Sequence, residues 1–287
     1  MSYTTLISAS NLLQHYQQPG YVVIDCRHDL AQADAGLLAF TAGHIPGARF
    51  ASMDRDLSGP KHAADGRFLG RHPLPTPADL LNTLQNLGIQ SDSQVVAYDA
   101  HGGMFAARLW WLLRWIGHAQ VAVLDGGLQA WQALEGPLLS GPPLLPENPG
   151  NLALADSLTR TVNAEQVLAS LGQPSQIIID ARAPDRFRGE NETMDPVGGH
   201  IPGAGNRFFK DNLLPEGRFK PGAQLRADFE PLIGNAPQNS VMQCGSGVTA
   251  CHNLLALEIA GLHGAALYGG SWSEWCADPA RPVATGA

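Results

Sequence analysis

The hexapeptide Gly43-His44-Ile45-Pro46-Gly47-Ala48 returns unchanged as Gly199-His200-Ile201-Pro202-Gly203-Ala204. Other segments recur around it in the same order. Upstream, YVVIDCR at 21–27 matches QIIIDAR at 176–182. Downstream, VVAYD at 95–99 matches SVMQC at 240–244, and VLDGGLQAW at 123–131 matches ALYGGSWSEW at 266–275. A single recurring hexapeptide is improbable by chance, and four collinear matches define a tandem duplication. The length of 287 residues accommodates two ordinary domains.

Between the copies lies GPLLSGPPLLPENPG at 136–150, with five prolines and three glycines. Proline fixes φ and removes an N–H donor, so a stiff, solvated linker is expected here. The boundaries drawn from the repeat are therefore a first domain over 1–135, a linker over 136–157 and a second domain over 158–287.

Inside each copy, short apolar runs alternate with helical stretches. Val22–Asp25, Val95–Tyr98, Val121–Leu124, Ile177–Asp180, Ser240–Gln243 and Ala265–Tyr268 read as buried strands. Asn163 followed by Gln166 forms a capping-box pattern, and Gly172 closes that helix. Thr76, Pro77 and Asp79 open another helix, which Gly88 ends. Such alternation predicts an α/β fold: two tandem domains, each a mainly parallel sheet flanked by helices. Ligands of such sheets sit at the carboxyl ends of the strands, where loops lead into helix N-termini.

Composition narrows the classes of function. Hydrophobic residues make up 44% and charged residues 15%, with 32 glycines and 21 prolines, which fits a folded, loop-rich chain. The net charge of −8 speaks against nucleic acid as a partner, since phosphate contacts need clustered Lys and Arg. The four cysteines, Cys26, Cys244, Cys251 and Cys276, contain no CxxC pair, so neither a metal site nor a disulfide framework is expected. The start, Met1 to Tyr16, lacks the marks of a signal peptide, and the most apolar run, Leu109–Ile116, is too short to span a bilayer. A cytoplasmic protein with no membrane partner is the expectation.

The strand Ser240–Gln243 ends in Cys244-Gly245-Ser246-Gly247-Val248-Thr249-Ala250-Cys251, followed by a helix to about Gly261. Cys244 thus stands between a strand end and a helix N-terminus, in a glycine-rich loop. Glycine lets successive N–H groups converge on one spot, and the helix dipole adds positive potential there. Both favour an anion, which makes Cys244 the expected nucleophile and Gly245, Gly247, Val248 and Thr249 the expected binding loop. The first copy carries Asp99 in place of this cysteine.

CGSGVTAC, the doubled GHIPGA, the D-x-R strand ends and RFRG at 186–189 together resemble the rhodanese-type sulfurtransferases over essentially the whole chain. The resemblance implies that Cys244 takes a sulfane sulfur as a persulfide and passes it on, with no cofactor. It also implies that the first domain, with Asp99, is non-catalytic. Gly245 and Ser246 replace the Arg and Lys usual in thiosulfate enzymes, as in 3-mercaptopyruvate sulfurtransferases. By that resemblance, Ser246, His72 and Asp54 form a proton relay, and Arg186 holds the donor's anionic group. A second arginine usual between RFRG and GHIPG is missing: Glu190–Gly199 reads ENETMDPVGG, and Arg188 and Arg207 are the nearby substitutes. The implied partners are a small sulfur donor, mercaptopyruvate or alternatively thiosulfate, and a thiol or cyanide acceptor, which includes thioredoxin-like proteins. The chain is expected to be a monomer.

Other readings are weaker. A cysteine phosphatase or arsenate reductase with a C-x5-R loop needs arginine at position 250, which is Ala250. A non-catalytic sulfur-carrier or protein-binding module is the remaining class. Asp25, Arg27, His44, Asp180, Arg182 and His200 recur in both copies, including the one without a nucleophile, and so read as structural. Cys251 and the Trp110, Trp111 and Trp115 stripe read as core.

Overall fold

The computed structural model describes residues 2–144, 146–173 and 175–286. The chain divides into two compact units. The first takes in the chain up to Ser58, Pro75–Leu158 and Leu214–Phe219, and the second takes in Gly59–Leu74, Thr159–Leu213 and the chain from Lys220 onward.

In the first unit, β1 (Leu6–Ile7), β2 (Tyr21–Asp25), β3 (Arg49–Phe50), β4 (Gln94–Tyr98) and β5 (Val121–Leu124) form a parallel sheet in the order β1-β5-β4-β2-β3. Helices α1 (Ala9–His15), α2 (Ala35–Ala42), α3 (Pro77–Asn86), α4 (Ala106–Trp115) and α5 (Gly127–Ala133) connect or flank the strands. Strands β4 and β5 are buried along their whole length, as parallel strands covered on both faces must be. Thr76 caps α3 by accepting the Asp79 N–H at 3.1 Å, with Pro77 in the first turn. Helix α4 is buried from Ala106 to Leu113, including Trp110 and Trp111, and Trp115 stacks on Trp111. The core joins Leu12, Phe40, Val96, Leu124 and Trp131, and cutting Phe40 back to Ala would cost about 3–5 kcal/mol.

The second unit repeats the plan. Strands β6 (Arg160–Val162), β7 (Ile177–Asp180), β8 (Gly205–Asn206), β9 (Ser240–Gln243) and β10 (Ala266–Tyr268) are parallel in the order β6-β10-β9-β7-β8. Its helices are α6 (Ala164–Ser170), α7 (Pro184–Arg188), α8 (Gly222–Ile233), α9 (Thr249–Ile259) and α10 (Ser271–Trp275). The Asn163–Gln166 capping box forms reciprocally at the start of α6. Trp272, Trp275, Tyr268, Val241 and Ile178 fill the core.

The repeated polar residues do the same work twice. Arg27 clasps Asp25 and donates to the Gly43 carbonyl, while Arg182 clasps Asp180 and donates to the Gly199 carbonyl, both at 2.7 Å. His44 stacks on Phe40 and His200 on Phe187, each with ring centroids 3.8 Å apart. Each GHIPGA turn is thereby tied to the end of a central strand.

Two features depart from the linear division expected from the repeat. Residues 59–74 belong with the second unit: Arg71 N–H donates to Ser273 Oγ at 3.1 Å, and Leu74 packs against Gly269. The expected linker does not run free in solvent. Gly150 and Leu152 N–H donate to Gln85 and Ile89 carbonyls, Ala155 and Leu158 N–H to Ile116 and Arg114, and Leu152 is buried. Its prolines lack donors, but the residues that follow them keep theirs and spend them on the first unit.

Candidate active site

Strand pairing fixes which residues correspond. Asp25 pairs with Tyr98 and Asp180 with Gln243, so the next residues, Asp99 and Cys244, hold the same place in their sheets. In the first unit Asp99 shows what that place favours. Its buried carboxylate accepts four backbone N–H groups, those of His101, Gly103, Phe105 and Ala106, at 2.8–3.0 Å. The loop is an anion cradle, and here the chain fills it with its own carboxylate.

In the second unit the cradle position holds a thiol. Cys244 is buried at the end of β9, and Gly245, Ser246, Gly247 and Val248 lead directly into α9 at Thr249. Gly247 has φ +76°, and a β-carbon on it would run into the Gly269 carbonyl. Only glycine meets both demands. The start of α10 anchors the loop: Trp272 N–H donates to the Cys244 carbonyl at 2.9 Å and Ser273 N–H to Gly245 at 3.0 Å. Cys244 N–H donates to Ser271 Oγ at 3.1 Å, and that hydroxyl donates to the Tyr268 carbonyl at 2.9 Å. Ser271 has φ +54°, where the first unit has Gly127 at φ +60°. The serine accepts left-handed backbone strain while its hydroxyl bridges these two groups.

His72 Nδ1 lies 2.8 Å from Ser246 Oγ, both side chains buried. The structure therefore brings together Cys244, Ser246 and His72 within the second unit. Asp54 belongs to the first unit, where its carboxylate is 4.0 Å from His28 Nε2. Cys251 is buried, and its thiol donates to the Gly247 carbonyl at 3.3 Å.

Arg186, on α7, is the expected anion holder. Gly189 ends that helix at φ +80° and packs against Gly198 and Gly199, which lets the 190–198 loop fold back over the helix end. Glu192 on that loop accepts Arg186 Nε and Nη2 at 3.0 and 2.9 Å, and Asp195 accepts Arg186 Nη2 at 3.3 Å. Glu192 also accepts Arg182 Nη1 at 3.3 Å and the Met194 and Asp195 N–H groups. Burial alone would raise the Glu192 carboxyl; the Met194 N–H and the Arg186 guanidinium outweigh it and hold it below the usual range. Burial pushes the Asp195 carboxyl up, against the pull of Arg71. Arg182 is also buried, but Asp180, Glu192 and Cys244 together keep its guanidinium above the ordinary value.

Neither nearby substitute for the missing arginine reaches this place. Arg188 pairs with exposed Glu190 at 2.7 Å. Arg207 is engaged by Asn212 and Asp228 and lies over Phe229. The cation that does reach it is Arg71, which sequence reasoning missed. It forms an ion pair with Asp195, and its Nη2 lies 2.7 Å from where a β-carbon on Gly245 would stand. Its place directly before His72 was the only signal in the sequence.

A glycine-loop cysteine at a strand end, in one of two copies of a parallel five-stranded domain, is the plan of a defined group of proteins. The rhodanese-like domain family matches residues 8–134 and again 163–278, and the chain belongs to that family. It is 48% identical to a probable 3-mercaptopyruvate sulfurtransferase of Pseudomonas aeruginosa, over all of both chains. It is 37% identical to a putative thiosulfate sulfurtransferase of Mycobacterium tuberculosis, over 98% of this chain and 97% of that one. Among solved structures, a 3-mercaptopyruvate sulfotransferase from Escherichia coli matches with TM-score 0.80 and 33% identity, covering 94% of this chain and 100% of the other. Among the described residues, no helix is long and apolar enough to cross a membrane.

Proposed function

We propose that this chain is a sulfurtransferase that moves the sulfur of 3-mercaptopyruvate to a thiol or cyanide acceptor through a persulfide on Cys244. The Cys244 thiolate attacks the donor sulfur, an S–S bond forms, and the carbon–sulfur bond breaks to release the enolate of pyruvate. Ser246, in contact with His72, supplies a proton to that enolate, with Asp54 as the third member of the relay. The persulfide then rests as an anion among the Gly245, Gly247, Val248 and Thr249 amides. An acceptor thiolate attacks the outer sulfur and restores the Cys244 thiolate. Arg186 orients the donor carboxylate.

The observation that carries the reading is the buried Ser246–His72 contact two residues beyond Cys244. A proton donor there suits a carbon leaving group, which must be protonated, better than sulfite, which need not be. The acceptor is cyanide, a small thiol or a thioredoxin-like protein, in the cytoplasm, and the chain acts as a monomer.

A thiosulfate donor is the second reading, favoured by the two guanidinium groups, Arg71 and Arg186, beside Gly245. Mass spectrometry after exposure to mercaptopyruvate tests the mechanism. The expected result is a gain of one sulfur on Cys244, absent in Cys244→Ser. No gain with active donor would refute it, and a higher kcat/KM for thiosulfate would reverse the choice of donor.

A further inference from the structure

We propose that the first unit carries a small-molecule site of its own, which binds a free α-amino acid with an aliphatic side chain, its carboxylate on Arg218 and its ammonium on Asp125. The inference goes beyond the sulfur transfer proposed above and does not depend on it.

The site is a cleft of about 480 Å³ between the ends of β1 and β5, the start of α1, helix α5 and the Leu214–Phe219 segment, all in the first unit. That volume falls within the range of small-molecule sites, about 300–1,000 Å³. Ala9, Ala130, Ala133 and Leu134 give it apolar walls, and Asp125 and Arg218 give it charges of opposite sign.

The duplication shows what was removed to make the cleft. The turn Glu216-Gly217-Arg218-Phe219 repeats Asp65-Gly66-Arg67-Phe68. The two glycines have φ +81° and +85°, and the two turns close with the same bonds. Gly217 N–H donates to Leu214 and Leu214 N–H to Arg218, as Gly66 N–H donates to Ala63 and Ala63 N–H to Arg67. In the second unit Arg67 faces two carboxylates of the chain, Glu165 and Glu274, each at 3.8 Å. Glu165 stands two residues after the helix cap Asn163, where the first unit has Ser10 after Ser8. Glu274 precedes Trp275, whose Nε1 donates to the Pro282 carbonyl; Ala130 precedes Trp131, whose Nε1 donates to Pro137. Serine and alanine thus replace both carboxylates beside the corresponding arginine, and the shorter side chains leave the cleft. Arg218 Nη2 binds Glu216 at 2.6 Å, while its Nε and Nη1 make no hydrogen bond among the described residues. A ligand carboxylate restores the kind of group that the second unit supplies from its own chain.

Asp125 makes the opposite demand. Leu124 pairs with Ile7 and Tyr268 with Val162, so the next residues, Asp125 and Gly269, correspond, and the second unit has no charge at this place. Asp125 Oδ1 accepts the Phe219 N–H at 2.9 Å, and Oδ2 accepts no hydrogen bond among the described residues. Burial pushes the carboxyl up against the pull of the Phe219 N–H and Arg218, so a cation beside it relieves a charge short of partners. A compact apolar body that carries one carboxylate and one ammonium is an α-amino acid.

The probe is L-leucine, titrated into the full chain by isothermal calorimetry and followed by saturation-transfer NMR. Two truncated ligands accompany it on wild type: 4-methylpentanoate lacks the ammonium, and 3-methylbutylamine lacks the carboxylate. Each should bind about tenfold or more weakly than leucine, the loss expected for one charge-assisted contact. Asp125→Asn keeps an oxygen for the Phe219 N–H and removes the charge, so it should weaken leucine about tenfold and 4-methylpentanoate not at all. Arg218→Gln should weaken leucine and leave 3-methylbutylamine no weaker. Ala130→Glu installs the second unit's carboxylate and should abolish leucine binding, whereas Arg186→Gln should leave it unchanged. Absence of leucine binding to wild type at millimolar concentration overturns the proposal. So does binding that survives Ala130→Glu in a protein with native circular dichroism, or binding lost in Arg186→Gln, which would move the amino acid to the Cys244 loop. An amine that binds as tightly as leucine leaves Arg218 without a role and sinks the zwitterion assignment. The truncated ligands judge that assignment on wild type even if a variant fails to fold.

Discussion

Replacing Asp99 by Asn tests whether the loop at this strand end is built for an anion. In the first unit each oxygen of Asp99 accepts two backbone N–H groups, His101 and Gly103 on one, Phe105 and Ala106 on the other. Asparagine matches the shape, but its amide nitrogen cannot accept. In the better orientation two N–H groups keep an oxygen and the other two face an NH2 donor. Losing two bonds to a charged acceptor in a fully buried place should cost about 3–6 kcal/mol at roughly 1.5–3 kcal/mol each. For a unit of this size that corresponds to a drop of on the order of 10 °C in the transition of the first unit. Calorimetry resolves it, with urea denaturation as an independent measure of the free-energy change. An Asp99→Asn protein within about 1 kcal/mol of wild type would refute the cradle argument, since it would mean the loop tolerates a neutral group as well as an anion. The case for a stabilised anion at Cys244, which occupies the same position in the other sheet, would lose its support.

Two further outcomes follow. Ser246→Ala removes the 2.8 Å partner of His72 and should lower kcat for mercaptopyruvate by about 10²-fold or more with a smaller effect on KM, the size typical of general acid catalysis; stopped-flow and steady-state kinetics measure it, and an unchanged kcat would remove Ser246 from the relay. Cys276 is pushed up to about 11, by burial first and then by Asp195, and Cys26 is raised well above its usual value by burial and then by Asp25; a raised thiol stays protonated below its shifted value, so peptide mapping after iodoacetamide at about pH 8 should find both unlabelled while Cys244 reacts, and equal labelling of Cys276 would contradict the assignment.

Much of the site was legible because it is local. Cys244, its glycines and the start of α9 lie within a few consecutive residues, and strand-loop-helix order places them without any knowledge of distant packing. His72 and Ser246 were matched by family resemblance, and their 2.8 Å contact is a tertiary fact. Ser271 was hidden in the repeat itself: ALYGGSWSEW carries a residue more than VLDGGLQAW, and that serine takes the left-handed place of Gly127. Arg71 and Asp195 escaped for a different reason. An arginine in one loop and an aspartate in another carry no periodicity, and their meeting with Arg186 joins segments far apart in the chain.

The recurrence of GHIPGA and its companions determined by itself that the chain holds two copies of one parallel α/β domain, and that only the second kept a cysteine at the strand end. Repetition and strand alternation are properties of consecutive residues, so they survive in the linear order. Tertiary structure alone decided that residues 59–74 join the second unit, that Asp99 fills the first cradle through four N–H bonds, and that Arg71 meets Arg186 over Gly245. Those outcomes depend on which groups meet when charges and donors are buried, and no local pattern encodes that meeting.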